Sequence, residues 1–154
     1  MNISPNFTLT ELVKSQTALR RGIVNRPSEA KIVALRKLTL NILQPVRDHF
    51  GLPVHVSSGY RCAALCDAIG STSTSQHTLG QAADFEIVDV ANPAVAEFIR
   101  DNLDFDQLIL EYYDPEEGPH SGWVHCSYVG AGQNRRQCMT VNRSATLEGL
   151  LVPG

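Results

Sequence analysis

The amino-acid sequence predicts an α+β fold in which an antiparallel sheet packs against helices. Helical periodicity dominates the first third of the chain, strand-like segments dominate the rest, and a turn-rich segment joins two of the late strands as a hairpin. Helices that precede strands in this way favour α+β architecture. A chain of 154 residues buries a core without disulfides. We therefore predict one domain over 1–154, with N-terminal helices over about 7–50 and a metal-binding core over about 54–141.

Two helices are predicted in the N-terminal third. The first begins at Thr8, which forms the sequence pattern of a capping box with Glu11, and runs to about Thr17. The second covers Ser28–Phe50, where apolar residues recur close to every 3.6 positions. Pro45 falls inside this second helix and is expected to kink or shorten it, because proline lacks the backbone donor that a helix interior uses.

Shorter elements fill the rest of the chain. The pattern predicts strands near 54–56, 82–88, 107–113, 122–129 and 136–141, a short helix ending at 69, a loop over 71–76 and a helix over 92–102. Residues 114–119 are rich in proline, glycine and acidic side chains, so the strands on either side are expected to pair as an antiparallel hairpin.

Charge and hydropathy exclude several classes of partner. The net charge of −3 offers no basic surface for nucleic acid, and no apolar run is long enough for membrane insertion. The first ten residues lack a basic stretch followed by an apolar one, so the protein is expected to be made in the cytoplasm without a signal peptide. A substrate outside the membrane then requires a separate delivery route.

The four cysteines do not form a recognisable zinc motif. Cys62 and Cys66 are separated by three residues inside a predicted helix, whereas structural zinc knuckles use a two-residue separation. Reduced thiols are expected without export. Cys126 and Cys138 lie on strands that are candidates to be neighbours, which leaves a disulfide between them open.

Three residues are candidate ligands of a catalytic metal ion. His77 ends the predicted loop, Asp84 lies on the following strand, and Gly80 between them gives the backbone the freedom to turn both side chains toward one ion. His125, on a later strand, is the candidate third ligand. A catalytic zinc ion binds three protein ligands and keeps a fourth position for water, and two histidines with one carboxylate are a normal set.

A family resemblance rests on these residues. The segment Ser75-x-His77-x-x-Gly80-x-Ala82-x-Asp84 resembles the zinc-ligand motif of the D-Ala-D-Ala carboxypeptidase family of zinc peptidases, which includes vancomycin-resistance dipeptidases and phage endolysins. Ser57–Arg61 resembles the segment that precedes this motif, and Trp123–His125 resembles the strand with the last ligand. The stretch 7–129 as a whole resembles the phage and prophage branch. The resemblance implies one zinc ion per chain and the fold shared with the signalling domain of Hedgehog proteins.

Further residues are candidates for catalysis and substrate binding. Arg61 is the expected anion binder, for a substrate carboxylate or for the oxyanion of the reaction. Ser75 is expected to orient the ligand loop or to contact substrate, and Tyr60 is a further substrate-binding candidate although tyrosines more often pack in cores. Relatives place an acidic residue or a second histidine just before the last ligand, where this chain has Gly122 and Trp123.

The general base must therefore come from another position. Glu111 is the first candidate, because the predicted hairpin brings the end of its strand close to His125. Asp114 and Glu86 are weaker alternatives.

The resulting hypothesis is a zinc peptidase that cleaves D-amino-acid-containing peptides of bacterial peptidoglycan. Both a carboxypeptidase and an endopeptidase acting on stem peptides or cross-links remain open, as does a cytoplasmic dipeptidase. A phage enzyme would reach the wall through a holin or inside a virion. The rival hypothesis is a non-catalytic, zinc-stabilised structural or binding domain, for example of a phage particle.

Overall fold

The computed structural model describes residues 1–71, 75–142 and 145–150. It confirms the α+β prediction: helices cover one six-stranded sheet, and a separate two-stranded sheet lies at the N-terminus. Part of the predicted loop over 71–76 and part of the tail after 143 lie outside the described residues. In the described part of the chain, no helix combines the length and apolar character needed to cross a membrane.

The helices and strands follow the predicted order closely. Each of the five predicted strands is present with ends within two residues of the prediction, while three further short strands were not predicted. The helices are α1 (Leu9–Val13), α2 (Gln16–Arg21), α3 (Glu29–Leu38), α4 (Gln44–Phe50), α5 (Ala63–Ile69) and α6 (Asn92–Asn102). The strands are β1 (Asn2–Ser4), β2 (Phe7–Thr8), β3 (His55–Ser58), β4 (Ala82–Glu86), β5 (Gln107–Glu111), β6 (Trp123–Ser127), β7 (Gln137–Val141) and β8 (Thr146–Glu148).

The large sheet is antiparallel at every pairing but one. Its strand order is β3-β4-β6-β5-β7-β8, and β7 runs parallel to β5. The predicted hairpin of β5 and β6 is present, with Glu111 opposite Trp123. β6 ends at the edge of the sheet where β5 begins. At this edge the backbone N–H of Gln137 donates to Asp106 O, which places the start of β7 beside the start of β5. The two strands therefore run in the same direction.

The predicted first helix is two helices. Thr8 and Glu11 form the expected capping box at the start of α1, but Lys14 is extended and ends that helix. Ser15 then caps α2 by accepting a hydrogen bond from the N–H of Ala18 at 3.2 Å. Two caps only seven residues apart replace the single helix that periodicity suggested.

The predicted second helix continues through Pro45 without a break. Between α3 and α4 the residues Thr39–Leu43 form a π-helical turn, in which the N–H of Gln44 donates to Thr39 O. Because proline has no N–H and its ring collides with the carbonyl four residues earlier, a regular α-helix is costly here. The wider π turn accommodates the proline instead of the predicted kink or shortening.

The cysteines are all free thiols. Cys126 on β6 and Cys138 on β7 both pair with Leu108, from opposite sides of β5. Two strand spacings place their Cα atoms roughly 9–10 Å apart, which exceeds the reach of a disulfide, about 7 Å. A bridge between them is therefore excluded in this fold, and burial raises the pKa of the Cys126 thiol.

Candidate metal centre

The three candidate ligands converge at one place on the sheet. His77 lies in a short 3₁₀ helix, Gln76–Leu79, while Asp84 on β4 and His125 on β6 are direct cross-strand partners. All three side chains are buried, and one ligand atom from each lies within 4.8 Å of the others. The sequence-predicted trio is therefore brought together by the fold.

The ring of His77 is fixed by the backbone. Its Nδ1 lies 2.7 Å from the carbonyl oxygen of Gly59, which can only accept, so Nδ1 carries the proton and donates. The other ring nitrogen, Nε2, is then unprotonated and lies 3.5 Å from Oδ2 of Asp84. A histidine oriented through its second nitrogen in this way is typical of metal ligands.

His125 and Asp84 present the other donors. Nδ1 of His125 lies 2.9 Å from Oδ1 of Asp84. Burial opposes ionisation of Asp84, but lowering effects led by the hydrogen bond from His125 outweigh it, so the pKa of this carboxyl falls below its usual value. Tetrahedral zinc with bonds of about 2.0–2.1 Å separates neighbouring ligand atoms by about 3.3 Å. The contact of His125 with Oδ1 of Asp84, 2.9 Å, and that of His77 with Oδ2, 3.5 Å, are both close to this value. The donor set and its spacing fit zinc.

Two residues of the ligand loop hold His77 in place. The Ser75 hydroxyl accepts a hydrogen bond from the N–H of His77 at 3.2 Å. Gly80 has a φ of +73°, and a Cβ there would lie 2.6 Å from the carbonyl oxygen of Lys31. Glycine is therefore required both by the left-handed turn and by the close approach of α3.

Arg61 lies beside the ligand carboxylate. Its Nη2 is 3.1 Å from Oδ2 of Asp84, and its Nε donates to the Ser58 hydroxyl at 2.7 Å. The guanidinium lines the cleft above the metal centre. It is thus in reach of an anionic group of a bound substrate.

Glu111 extends from the end of β5 toward the same point. Its Oε1 is 3.9 Å from Nδ1 of His125, and its side chain remains 24% exposed. Burial raises the pKa of this carboxyl above its usual value, although the nearby His125 opposes the rise. Glu86 and Asp114, the alternative bases, do not line the cleft.

Gly122 cannot be replaced by an acidic residue in this backbone. Its φ is +64°, and a Cβ at this position would collide with the carbonyl oxygen of Glu111. The end of β5 therefore occupies the space that a side chain at position 122 would need. Glu111 at this strand end pairs with Trp123, the residue that follows Gly122.

We expect Gly122→Ala to destabilise the fold and to displace Glu111. A left-handed alanine costs about 1–2 kcal/mol, and the collision with the Glu111 carbonyl adds to that cost. Gly132→Ala is the matched control, because Gly132 has a similar φ of +77° and a Cβ there would meet nothing within 4 Å. Thermal unfolding should show a larger loss for Gly122→Ala; equal losses would contradict the close approach.

The N-terminal segment supports the ligand site from behind. A Cβ on Gly59 would collide with the carbonyl oxygen of Leu12, which accepts a hydrogen bond from the N–H of Tyr60. The Asn25 side chain donates to Val13 O and Tyr60 O, both at 2.8 Å. The carbonyl that orients His77 is therefore held against α1, and no sequence pattern predicted this role for Gly59 or Asn25.

Tyr60 does not reach the metal-site cleft. Its side chain is buried in the core, with Nζ of Lys31 lying 5.8 Å from the ring centre. Tyr60 is not among the residues that line the cleft over the ligands, so the structure gives no support to its predicted contact with substrate. The Tyr60 side chain belongs to the hydrophobic core and contributes to its packing.

An open cleft of about 790 Å³ lies over the ligands. Its floor is formed by alternate residues of β5 and by the two histidines, and Ser75 and Arg61 lie on its walls. Trp123 and Tyr112 form a tilted aromatic pair at one end, with ring centres 5.3 Å apart. The cleft is large enough to hold a short peptide across the ligand trio.

Two histidines and a carboxylate at the floor of an open cleft are the metal centre of a hydrolase rather than a closed structural site. The sequence description of the peptidase M15 family matches residues 5–127. The chain belongs to this family of zinc D-Ala-D-Ala carboxypeptidase-type metallopeptidases, as the motif around His77 predicted. A search of the curated proteins finds no match to the chain.

Proposed function

We propose that the protein is a zinc-dependent peptidase that hydrolyses D-amino-acid-containing peptides of bacterial peptidoglycan. The observation that carries this proposal is the position of the ligand trio at the floor of an open cleft, with the Glu111 carboxylate beside it. Membership of the peptidase M15 family supports the metal and the reaction class. A purely structural zinc site would need neither an open cleft nor an adjacent free carboxylate.

The roles of the residues follow from their positions. His77, Asp84 and His125 would hold zinc, which when bound lowers the pKa of a coordinated water and polarises the scissile carbonyl. Glu111 accepts the proton of the attacking water and returns it to the leaving amine. Its raised pKa suits a group that must both take up and release a proton near neutral pH.

Arg61 completes the proposed machinery. Its Nη2 contacts Asp84, its Nε donates to Ser58, and the side chain lines the cleft. It binds a carboxylate of the substrate or the oxyanion that forms at the scissile carbonyl. Ser75 acts through the position of His77 and does not need to contact the substrate.

The proposed substrate lies outside the cell that makes the enzyme. We propose cytoplasmic synthesis followed by delivery to the wall through a phage holin or within a virion. The substrate is a stem peptide or a cross-link, and both carboxypeptidase and endopeptidase cleavage fit an open cleft. Neither nucleic acid nor membrane insertion has a part in this proposal.

Digestion of purified peptidoglycan tests the function directly. Mass spectrometry of the released fragments is expected to show one cleaved peptide bond, loss of that product with a chelator, and its return with added zinc. An intact circular-dichroism spectrum in chelator would show that the metal serves catalysis and not folding. Stoichiometric zinc with no released fragment from walls of several chemotypes would overturn the proposal and favour the non-catalytic alternative.

A further inference from the structure

The cleft extends well beyond the metal centre along β5. Gln107, Ile109 and Glu111 are alternate residues of this strand, and all three line the cleft. The four residue-to-residue steps from Glu111 to Gln107 cover about 13 Å of strand. Ile109 pairs with His125, so the ligands lie beside the middle of this length. The Gln107 end is therefore a separate region, and Arg135 lies there.

Arg135 is held in the cleft by a buried carboxylate. Its Nη2 lies 2.8 Å and its Nε 3.1 Å from the two oxygens of Asp106, which is 2% exposed. The N–H of Arg135 and the side chain of Gln76 also donate to Asp106, both at 2.9 Å. These hydrogen bonds, those of the Arg135 side chain foremost, lower the pKa of Asp106 to about 2.

The other edge of the guanidinium is open. The Arg135 side chain is 57% exposed, and no residue in the described ranges accepts a hydrogen bond from its Nη1. A guanidinium fixed along one edge keeps a planar pair of donors on the other, which matches the two oxygens of a carboxylate. Because Asp106 holds the plane in place, little side-chain entropy remains to be lost when such a carboxylate binds.

We propose that Arg135, positioned by Asp106, forms a carboxylate-binding subsite that selects the substrate. This inference rests on the proposed function, because it requires a peptide in the cleft. Ile109 and Gln107 are two residues apart, about 7 Å along an extended chain. The subsite therefore takes a free carboxylate about two residues from the scissile bond. Arg135 lies outside residues 5–127, the part of the chain that the family description matches.

Peptides that differ by one functional group test the subsite. The peptide cleaved in the wall digestion, or a free peptidoglycan stem peptide if none is cleaved, is synthesised with each of its free carboxylates in turn replaced by a carboxamide. We expect one replacement to lower kcat/KM about tenfold for the wild type, the size of effect that the loss of a charged hydrogen bond produces. Arg135→Gln should abolish this preference, lowering kcat/KM for the carboxylate peptide alone.

Arg136→Gln is the matched control. Arg136 is the adjacent residue, but it donates to Leu103 O and lies 3.7 Å from Asp104, outside the cleft. It should keep the full preference. Arg135→Gln removes the ion-pair partner of the buried Asp106 carboxylate. The double variant Asp106→Asn/Arg135→Gln, which leaves no unpaired buried charge, is therefore measured as well and should show the same loss of preference.

Binding without turnover separates this inference from the proposed function. Trp123 is the single tryptophan of the chain and lines the cleft, so its fluorescence reports peptide binding to the metal-free protein. The carboxylate peptide should bind the wild type more tightly than the carboxamide peptide, and Arg135→Gln should remove the difference. If no peptide is cleaved but this difference remains, only the proposed function fails. An unchanged preference in both Arg135 variants, or an equal loss for all peptides, overturns the subsite.

Discussion

Replacing any one of His77, Asp84 or His125 by alanine is expected to remove bound zinc and peptidase activity together. Each residue supplies one of three donor atoms that lie within 4.8 Å of one another, and two ligands do not hold zinc at the affinity of three. Loss of a group that only hydrogen-bonds to a ligand costs about 10–100-fold in metal affinity, so loss of a ligand should exceed this. Zinc per chain by elemental analysis and fragment release from peptidoglycan are the two measurements.

His120→Ala is the control for these three variants. His120 is exposed in the turn between β5 and β6 and does not line the cleft, so it should retain full zinc and activity. Thermal unfolding in chelator distinguishes lost ligation from lost folding, since His77→Ala also leaves the Gly59 carbonyl without its donor. Stoichiometric zinc in all three ligand variants would refute this site.

Glu111→Gln is expected to keep zinc but to lose turnover by about 10²–10⁴-fold, the range that general acid–base catalysis contributes. Glutamine has the shape of glutamate but accepts no proton at neutral pH. Because Glu111 lies 3.9 Å from His125 without belonging to the ligand trio, the metal site should stay intact. The loss should appear in kcat rather than in KM, since proton transfer is made in the transition state.

The matched control for this change is Glu117→Gln. Glu117 is an exposed glutamate in the turn that joins the same two strands, and it lies outside the cleft. Its variant should behave as the wild type. If Glu111→Gln retained activity within a few-fold of the wild type, with zinc bound, the base would have to be a different group.

The parts of the site that were predictable are encoded locally. Ser75, His77, Gly80 and Asp84 lie in ten consecutive residues, so their spacing alone predicts a shared turn. The position of Glu111 followed from the predicted hairpin, since two strands that are adjacent in sequence and joined by a turn-rich segment pair with each other. His125 needed the family resemblance as well, and the fold pairs it directly with Asp84.

The parts that were missed depend on contacts between distant segments. Asp106 and Arg135 are separated by 29 residues, and no local pattern marks them as partners. The parallel pairing of β7 depends on where the preceding loop crosses the sheet edge. The requirement for glycine at position 122 depends on the carbonyl oxygen of Glu111, which the fold brings against it. The sequence alone does not decide whether Tyr60 packs in the core or lines the cleft, because an aromatic residue beside a motif gives the same pattern in both cases, and in the structure its side chain is buried.

The contact between Gly59 and Leu12 has a consequence for how this enzyme can be recombined. The carbonyl that orients His77 belongs to a glycine pressed against α1, and Asn25 ties the same backbone to the residue after Leu12. A chimera that takes its first fifty residues from another member of the family would change α1, the helix that packs against Gly59 and so fixes the orientation of His77. Residues on both sides of this contact therefore have to be exchanged together if the orientation of His77 is to be kept.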